Sequence, residues 1–185
     1  MTDATRLEDL LIRVAGGDRA AIAQLYRLME QPLYRFVHSR LNDPHQSADI
    51  VHDVFLDVWR NAHRFEGRSA ARTWIFGIAW RKVMDVYRAA RRVDVTDDLT
   101  ETEDDSPDAL TCIAAAEDQA RVRHCLSTLK PDHRSALQLA FYEDLGYREI
   151  AEVMAVPEGT VKTRVFHAKK LMLHCLSQLG RRPGQ

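Results

Sequence analysis

Lys162, Thr163, Arg164, Phe166, His167, Lys169 and Lys170 crowd into one short stretch of the chain. Long cations reach phosphate oxygens and guanine edges, and an aromatic ring can meet a thymine methyl, so the chemistry on offer is duplex DNA recognition. The residues ahead of them support it. From Gly146 to Val165 the apolar positions Ile150, Met154, Val156, Val161 and Val165 have the spacing of two helices packed across a tight turn. Small Ala151 allows close approach, and Pro157 suits the first turn of the second helix, where a missing amide hydrogen costs nothing. A helix-turn-helix with a basic second helix is expected, the second helix entering the major groove. The plainer alternative is a helical hairpin with a solvated basic face.

Two other groups carry chemistry. Asp49, Asp53 and Asp57 are spaced four apart and form an acidic stripe on one helix face, suited to a basic partner or simply to water. Gly67, Ser69 and Ala70 make a loop of short side chains able to bring backbone groups close to an extruded base, with Arg68 and Arg72 to hold phosphates. Arg81, Lys82, Arg88, Arg91 and Arg92 extend a basic face beyond the loop. Trp74, Phe76 and Trp80 could stack on bases, but on an amphipathic helix large aromatics are expected in the core.

Catalysis finds no support: neither a glycine-rich phosphate loop nor a nucleophile motif is present. No enzymatic activity, metal or cofactor is expected. His124-Cys125 and His174-Cys175 are two His-Cys pairs, yet they lack the short Cys-Cys or His-His spacings of zinc modules. Three cysteines, Cys112, Cys125 and Cys175, with no close pair argue against a secreted disulfide framework, and buried free thiols are expected.

The elements that must position these groups are helices. Helix-period patterns cover Leu10 to Val14, Ala20 to Met29, Pro32 to Leu41, Ser47 to Ala62 and Ala70 to Arg91, with turn and capping residues at Gly16-Gly17-Asp18 and Asn42-Asp43-Pro44. A second series follows: Ile113 to Leu129, Asp132 to Glu143, Arg148 to Met154, and Glu158 to Leu173 or a little beyond. Between Val93 and Thr111 stand eight acidic residues and no basic one. Few apolar residues lie there, so a flexible acidic linker is expected. The net charge of −1 hides this partition: outside the stretch, 26 Lys and Arg face 19 Asp and Glu, about +7, which suits a polyanion. At 185 residues, 45% hydrophobic and 29% charged, the chain suits a folded protein. The expected fold is all-α: two small helical domains at 1–92 and 113–185 joined by a linker at 93–112.

The residues from Gly159 to Leu171 resemble the recognition helix of extracytoplasmic-function (ECF) sigma factors, which typically reads Gly-Thr-Val-Lys-Ser-Arg-Leu followed by a basic-Ala-basic run. Ala48 to Trp59 resembles the polymerase-binding helix of that family, and Phe65 to Phe76 its promoter-melting segment, with Asp85-Val86-Tyr87-Arg88 following in register. The resemblance implies a protein that binds the clamp helices of the largest subunit of core RNA polymerase through Asp49, His52, Asp53 and Asp57. It implies capture of the single-stranded −10 element by Gly67, Arg68, Ser69, Ala70, Arg72, Arg81, Lys82 and Arg88. Thr160, Lys162, Thr163, Arg164, Phe166, His167, Lys169 and Lys170 would then read the −35 element as duplex. His167 stands where the family usually has arginine and Arg81 where many members have asparagine, so promoter preference departs from the family average. The linker of such proteins threads the polymerase toward the RNA exit path.

By the same analogy an anti-sigma factor restrains the protein, and the missing sensory extension places control in another molecule. No run approaches the ~20 apolar residues of a membrane helix and the N-terminus lacks a basic-then-apolar signal, so a cytoplasmic protein without membrane insertion is expected. Two alternatives remain open: a free-standing helix-turn-helix repressor binding a palindrome as a dimer, and a metal- or thiol-responsive sensor built on the His-Cys pairs.

Overall fold

The structure, a computed structural model, describes residues 3–93 and 113–180, and every regular element among them is helical. The acidic stretch, Cys112 and the expected linker from residue 94 onward lie outside the described residues, while Val93 still belongs to the last helix of the first series. The first series forms α1 (Asp3–Ala15), α2 (Arg19–Leu41), α3 (Pro44–Asn61) and α4 (Ala71–Val93), with one short 3-10 turn at Ala62–Arg64. Asp18 caps α2, accepting from the amides of Ala20 at 2.8 Å and Ala21 at 3.1 Å. The Arg13 guanidinium beside it, together with those amides, holds its carboxyl below the usual range. Asn42 ends α2 in the left-handed conformation and Asp43 caps α3, with Pro44 in the first turn.

One boundary differs from the sequence reading. Ala20 to Met29 and Pro32 to Leu41 are a single helix, with Pro32 inside it. An internal proline cannot donate to the carbonyl one turn back, a cost of about 3 kcal/mol. Burial offsets it, because Leu25, Met29, Leu33, Phe36 and Val37 on the same helix are buried against α3 and α4. Propensity at one residue loses to the packing of a whole face.

Leu11, Leu25, Met29, Leu33, Val54, Val58, Ile75 and Phe76 are fully buried in this bundle. Phe36 meets Phe76 edge-on at 5.3 Å. Arg40 lies over the rings of Trp80 and Tyr87 at 4.8 and 5.4 Å, and Tyr87 donates to the Arg40 carbonyl at 2.5 Å. Phe76 and Trp80 therefore belong to the core, and Trp74 is half-buried, edge-on to Phe65 at 5.6 Å.

The second series forms α5 (Ile113–Ser127), α6 (Pro131–Phe141), α7 (Tyr147–Met154) and α8 (Glu158–Gly180). Its core is Leu129, Leu139, Ile150, Val153, Met154, Val161, Val165 and Ala168. α8 runs a further two turns beyond the expected end at Leu173. The extension carries Cys175 back to α5, where it is disulfide-bonded to buried Cys125. This corrects the expectation of buried free thiols: 50 residues separate the two cysteines along the chain, but the packing of α8 on α5 brings them together.

Candidate nucleic-acid and polymerase interfaces

α7 and α8 form the helix-turn-helix. The Gly146 amide donates to the Glu149 carboxylate at 2.8 Å, starting α7, and Ala155 ends it with a φ of 53°. A left-handed alanine costs about 1 kcal/mol relative to glycine, and the turn sustains it because the Val156 amide reaches the Ala151 carbonyl at 3.1 Å. Pro157 stands one residue ahead of α8 and its carbonyl accepts from Thr160 at 2.9 Å, so it closes the first turn from outside rather than within it.

On α8, Val161, Val165 and Ala168 face the core, which turns Lys162, Thr163, Phe166, His167, Lys169 and Lys170 outward. Phe166 is 65% exposed although it is apolar, a placement that no packing inside the domain accounts for. Lys162 is paired with Glu158 on its own helix, at 2.8 Å, and that carboxylate raises its ammonium above the ordinary lysine range. Thr163 bonds the Gly159 carbonyl at 2.9 Å and Lys169 lies over the Phe141 ring at 4.7 Å. Thr160 is half-buried in the first turn.

Arg164 stands apart from this set. It is 20% exposed and bonded to Asp132 of α6 at 2.8 Å, so in this conformation it is engaged within the protein. His167 stacks on His133 of α6 at 6.3 Å, a contact that sequence reading missed because the partner lies 34 positions away. Burial first, then His167, Lys130 and Arg164, push His133 below the ordinary histidine value of 6.5, while Asp132 opposes the shift. A histidine lowered on folding contributes stability that is present above 6.5 and lost as pH falls through its folded value. The second domain is therefore expected to melt at lower temperature at pH 5.5 than at pH 7.5, and His133→Gln is expected to shrink that difference; an unchanged difference would exclude His133 as its source.

In the first domain α3 turns Asp49, His52 and Asp53 to solvent. Asp57 is half-buried and bonded to Lys82 of α4 at 2.8 Å, so it joins α3 to α4 rather than extending the free stripe. The same exposed face carries Leu56 and Trp59, each 38% exposed. Sequence reading passed over both; their signal was an offset of four and seven from His52, which places them on the face of the stripe. An apolar pair next to carboxylates suits a partner helix with apolar and basic residues.

The loop from Phe65 to Ala70 leads into α4. Gly67 has a φ of 69°, which glycine adopts without strain. Gly67 and Arg68 are exposed, Arg68 is paired with Glu66, and Ser69 and Ala70 are half-buried. Arg72 is turned away from solvent and bonded to Glu143 of the second series at 2.5 Å. Arg81 and Lys82 line a cleft of about 350 Å³ with Asp57, Asn61, Arg64 and Trp74, whereas Arg88 is exposed and paired with Asp85. Among the described residues no three His, Cys, Asp or Glu side chains converge as a metal site, and no helix is long and apolar enough to cross a membrane.

Comparison with known proteins fixes the class. Residues 25–93 match the family model for Sigma-70 region 2, and residues 119–172 match that for Sigma-70, region 4. The ECF RNA polymerase sigma factor SigK of Mycobacterium tuberculosis (strain ATCC 25618 / H37Rv) is 30% identical over 174 residues, covering 92% of this chain and 93% of that protein. The SigK of Mycolicibacterium vanbaalenii is 28% identical over 92% of this chain and 89% of its own length. The chain belongs to the ECF RNA polymerase sigma factor family. Its fold is also that of RpoE from Bartonella quintana, solved with the anti-sigma factor NepR: the TM-score is 0.70 at 23% identity, over 84% of this chain and 96% of that one. CnrH, solved with the cytosolic domain of CnrY, gives a TM-score of 0.67 at 22% identity over 94% and 98%.

Proposed function

We propose that residues 1–92 bind core RNA polymerase and the melted −10 strand, that residues 113–185 read the −35 duplex, and that residues 93–112 span between them on the polymerase. The observation that carries this reading is the outward row on α8: Lys162, Phe166, His167, Lys169 and Lys170 are all exposed on a helix whose other side is locked into a helix-turn-helix. The free-repressor alternative leaves the region 2 match, and the loop of short side chains within it, without a role.

Asp49, His52 and Asp53, with Leu56 and Trp59 beside them, form the surface proposed for the polymerase clamp helices. Gly67, Arg68, Ser69, Ala70, Arg81, Lys82 and Arg88 are the residues proposed to meet the −10 strand, and Arg72 joins them once it leaves Glu143. The protein is proposed to act in the cytoplasm, to catalyse nothing itself, and to be held inactive by an anti-sigma factor, as the partner in the RpoE structure suggests by analogy.

Binding of a −35 duplex by the holoenzyme tests the assignment of α8. Lys162→Ala is expected to weaken binding by about 1 to 3 kcal/mol if the ammonium reads a base, and to lose less, with a salt slope reduced by about one, if it meets only phosphate. Unchanged affinity and unchanged salt dependence would remove Lys162 from the interface.

A further inference from the structure

We propose that His133 is a positioning residue for −35 recognition: it holds the ring of His167 on the outward row of α8 while staying neutral itself, so that the pair takes a single proton, on His167, when an acceptor oxygen of the duplex meets it. The proposal rests on the reading of α8 given above and adds a proton link to it. His167 is exposed, yet its ring is flanked on two sides. The ring of His133 lies 6.3 Å away and nearly parallel, inclined by 14°, and that of Phe166 meets it edge-on at 5.6 Å. Ring pairs at such distances favour a fixed mutual orientation. α6 thus supplies one wall for a side chain that α8 presents to solvent.

The two rings do different work. His133 is half-buried and its Nδ1 has no partner. A neutral imidazole can leave that nitrogen without a proton, whereas an imidazolium would bury a charged donor with no acceptor. The surrounding charges act in the same direction. Lys130 ahead of α6 and Arg164 of α8 disfavour a proton on His133, as does a charge on His167, and Asp132 opposes them. That carboxylate is itself bonded to Arg164 at 2.8 Å and to Arg40 of α2 at 2.8 Å. α7, also packed on α6, brings no charge to bear on His133. A proton entering the pair therefore goes to the outer ring, where a phosphate or a guanine edge accepts the hydrogen bond it adds. An arginine at this position would be a cation at every pH; a histidine ties the contact to pH.

Binding of a −35 duplex by the holoenzyme at pH 6, 7 and 8, at constant ionic strength, tests the proposal. The unsubstituted chain is expected to bind about fivefold more tightly at pH 6 than at pH 8, the scale of one histidine proton taken up on binding. His167→Arg, at an exposed position that leaves the core untouched, is expected to flatten the profile by raising affinity at pH 8. His133→Phe keeps a flat ring that cannot titrate and is expected to retain the ratio, whereas His133→Ala is expected to cut it below about twofold. If His133→Ala fails to fold, the other two variants still decide. A flat profile for the unsubstituted chain would overturn the proposal, and so would a profile that survives His167→Arg, is lost in His133→Phe, or is unchanged in His133→Ala. Lys162→Ala, measured alongside at pH 8, separates the two failures: if α8 does not meet the −35 duplex at all, that variant also binds unchanged.

Discussion

Reduction of the Cys125–Cys175 bond is expected to destabilise the second domain by about 4 kcal/mol, the loop-closure entropy returned to an unfolded chain when a link across 50 residues is removed. The domain has little to set against that loss. It is small, its α6 and α7 are 11 and 8 residues long, and domains of this size have stabilities of only a few kcal/mol. The bond ties α5 to the far end of α8, beyond the stretch proposed to read DNA. Thermal melts followed by helical ellipticity, with and without dithiothreitol, measure the effect, and Cys125→Ala should reproduce it without reductant. A melting temperature unaffected by either would mean that packing alone holds α5 on α8.

Phe76→Ala is expected to cost the first domain about 3 to 5 kcal/mol, as large aromatic truncations in closed cores do. Phe76 has no solvent exposure and meets Phe36 edge-on, so its removal leaves a cavity that the bundle must carry or collapse. It also lies one turn beyond Arg72 on α4, and the Arg72 guanidinium sits 6.0 Å from its ring. Collapse would displace the start of α4, and with it the loop proposed to capture the −10 strand. Urea denaturation measures the loss. A cost below about 1 kcal/mol would show that neighbouring side chains refill the space.

The helical elements were legible because their apolar spacing is regular. Ile150, Met154, Val156, Val161 and Val165 marked the helix-turn-helix, and all but half-buried Val156 are buried in it. The break expected before Pro32 failed because proline speaks for one residue, whereas the face from Leu25 to Val37 speaks for the helix. The outward row on α8 was readable from the chain because a helix of known phase fixes which residues face away from its core.

What stayed hidden depends on contacts distant in sequence. Asp57 reads as one third of an acidic stripe until Lys82, 25 residues on, is brought against it. Arg72 and Arg164 read as free DNA contacts until Glu143 and Asp132 arrive from elsewhere in the fold. Leu56 and Trp59 were passed over although helix phase alone turns them to solvent beside the carboxylates. The cysteine pair was missed because nothing in a 50-residue spacing specifies that α8 packs on α5.

The central claim is that this chain directs core RNA polymerase to promoters, and the most direct measurement is run-off transcription with bacterial core polymerase on a genomic promoter library, with and without the protein. New start sites preceded by shared, evenly spaced −35 and −10 elements are predicted only when the chain is present. Start sites identical with and without it, from a polymerase shown to bind the chain, would contradict the account.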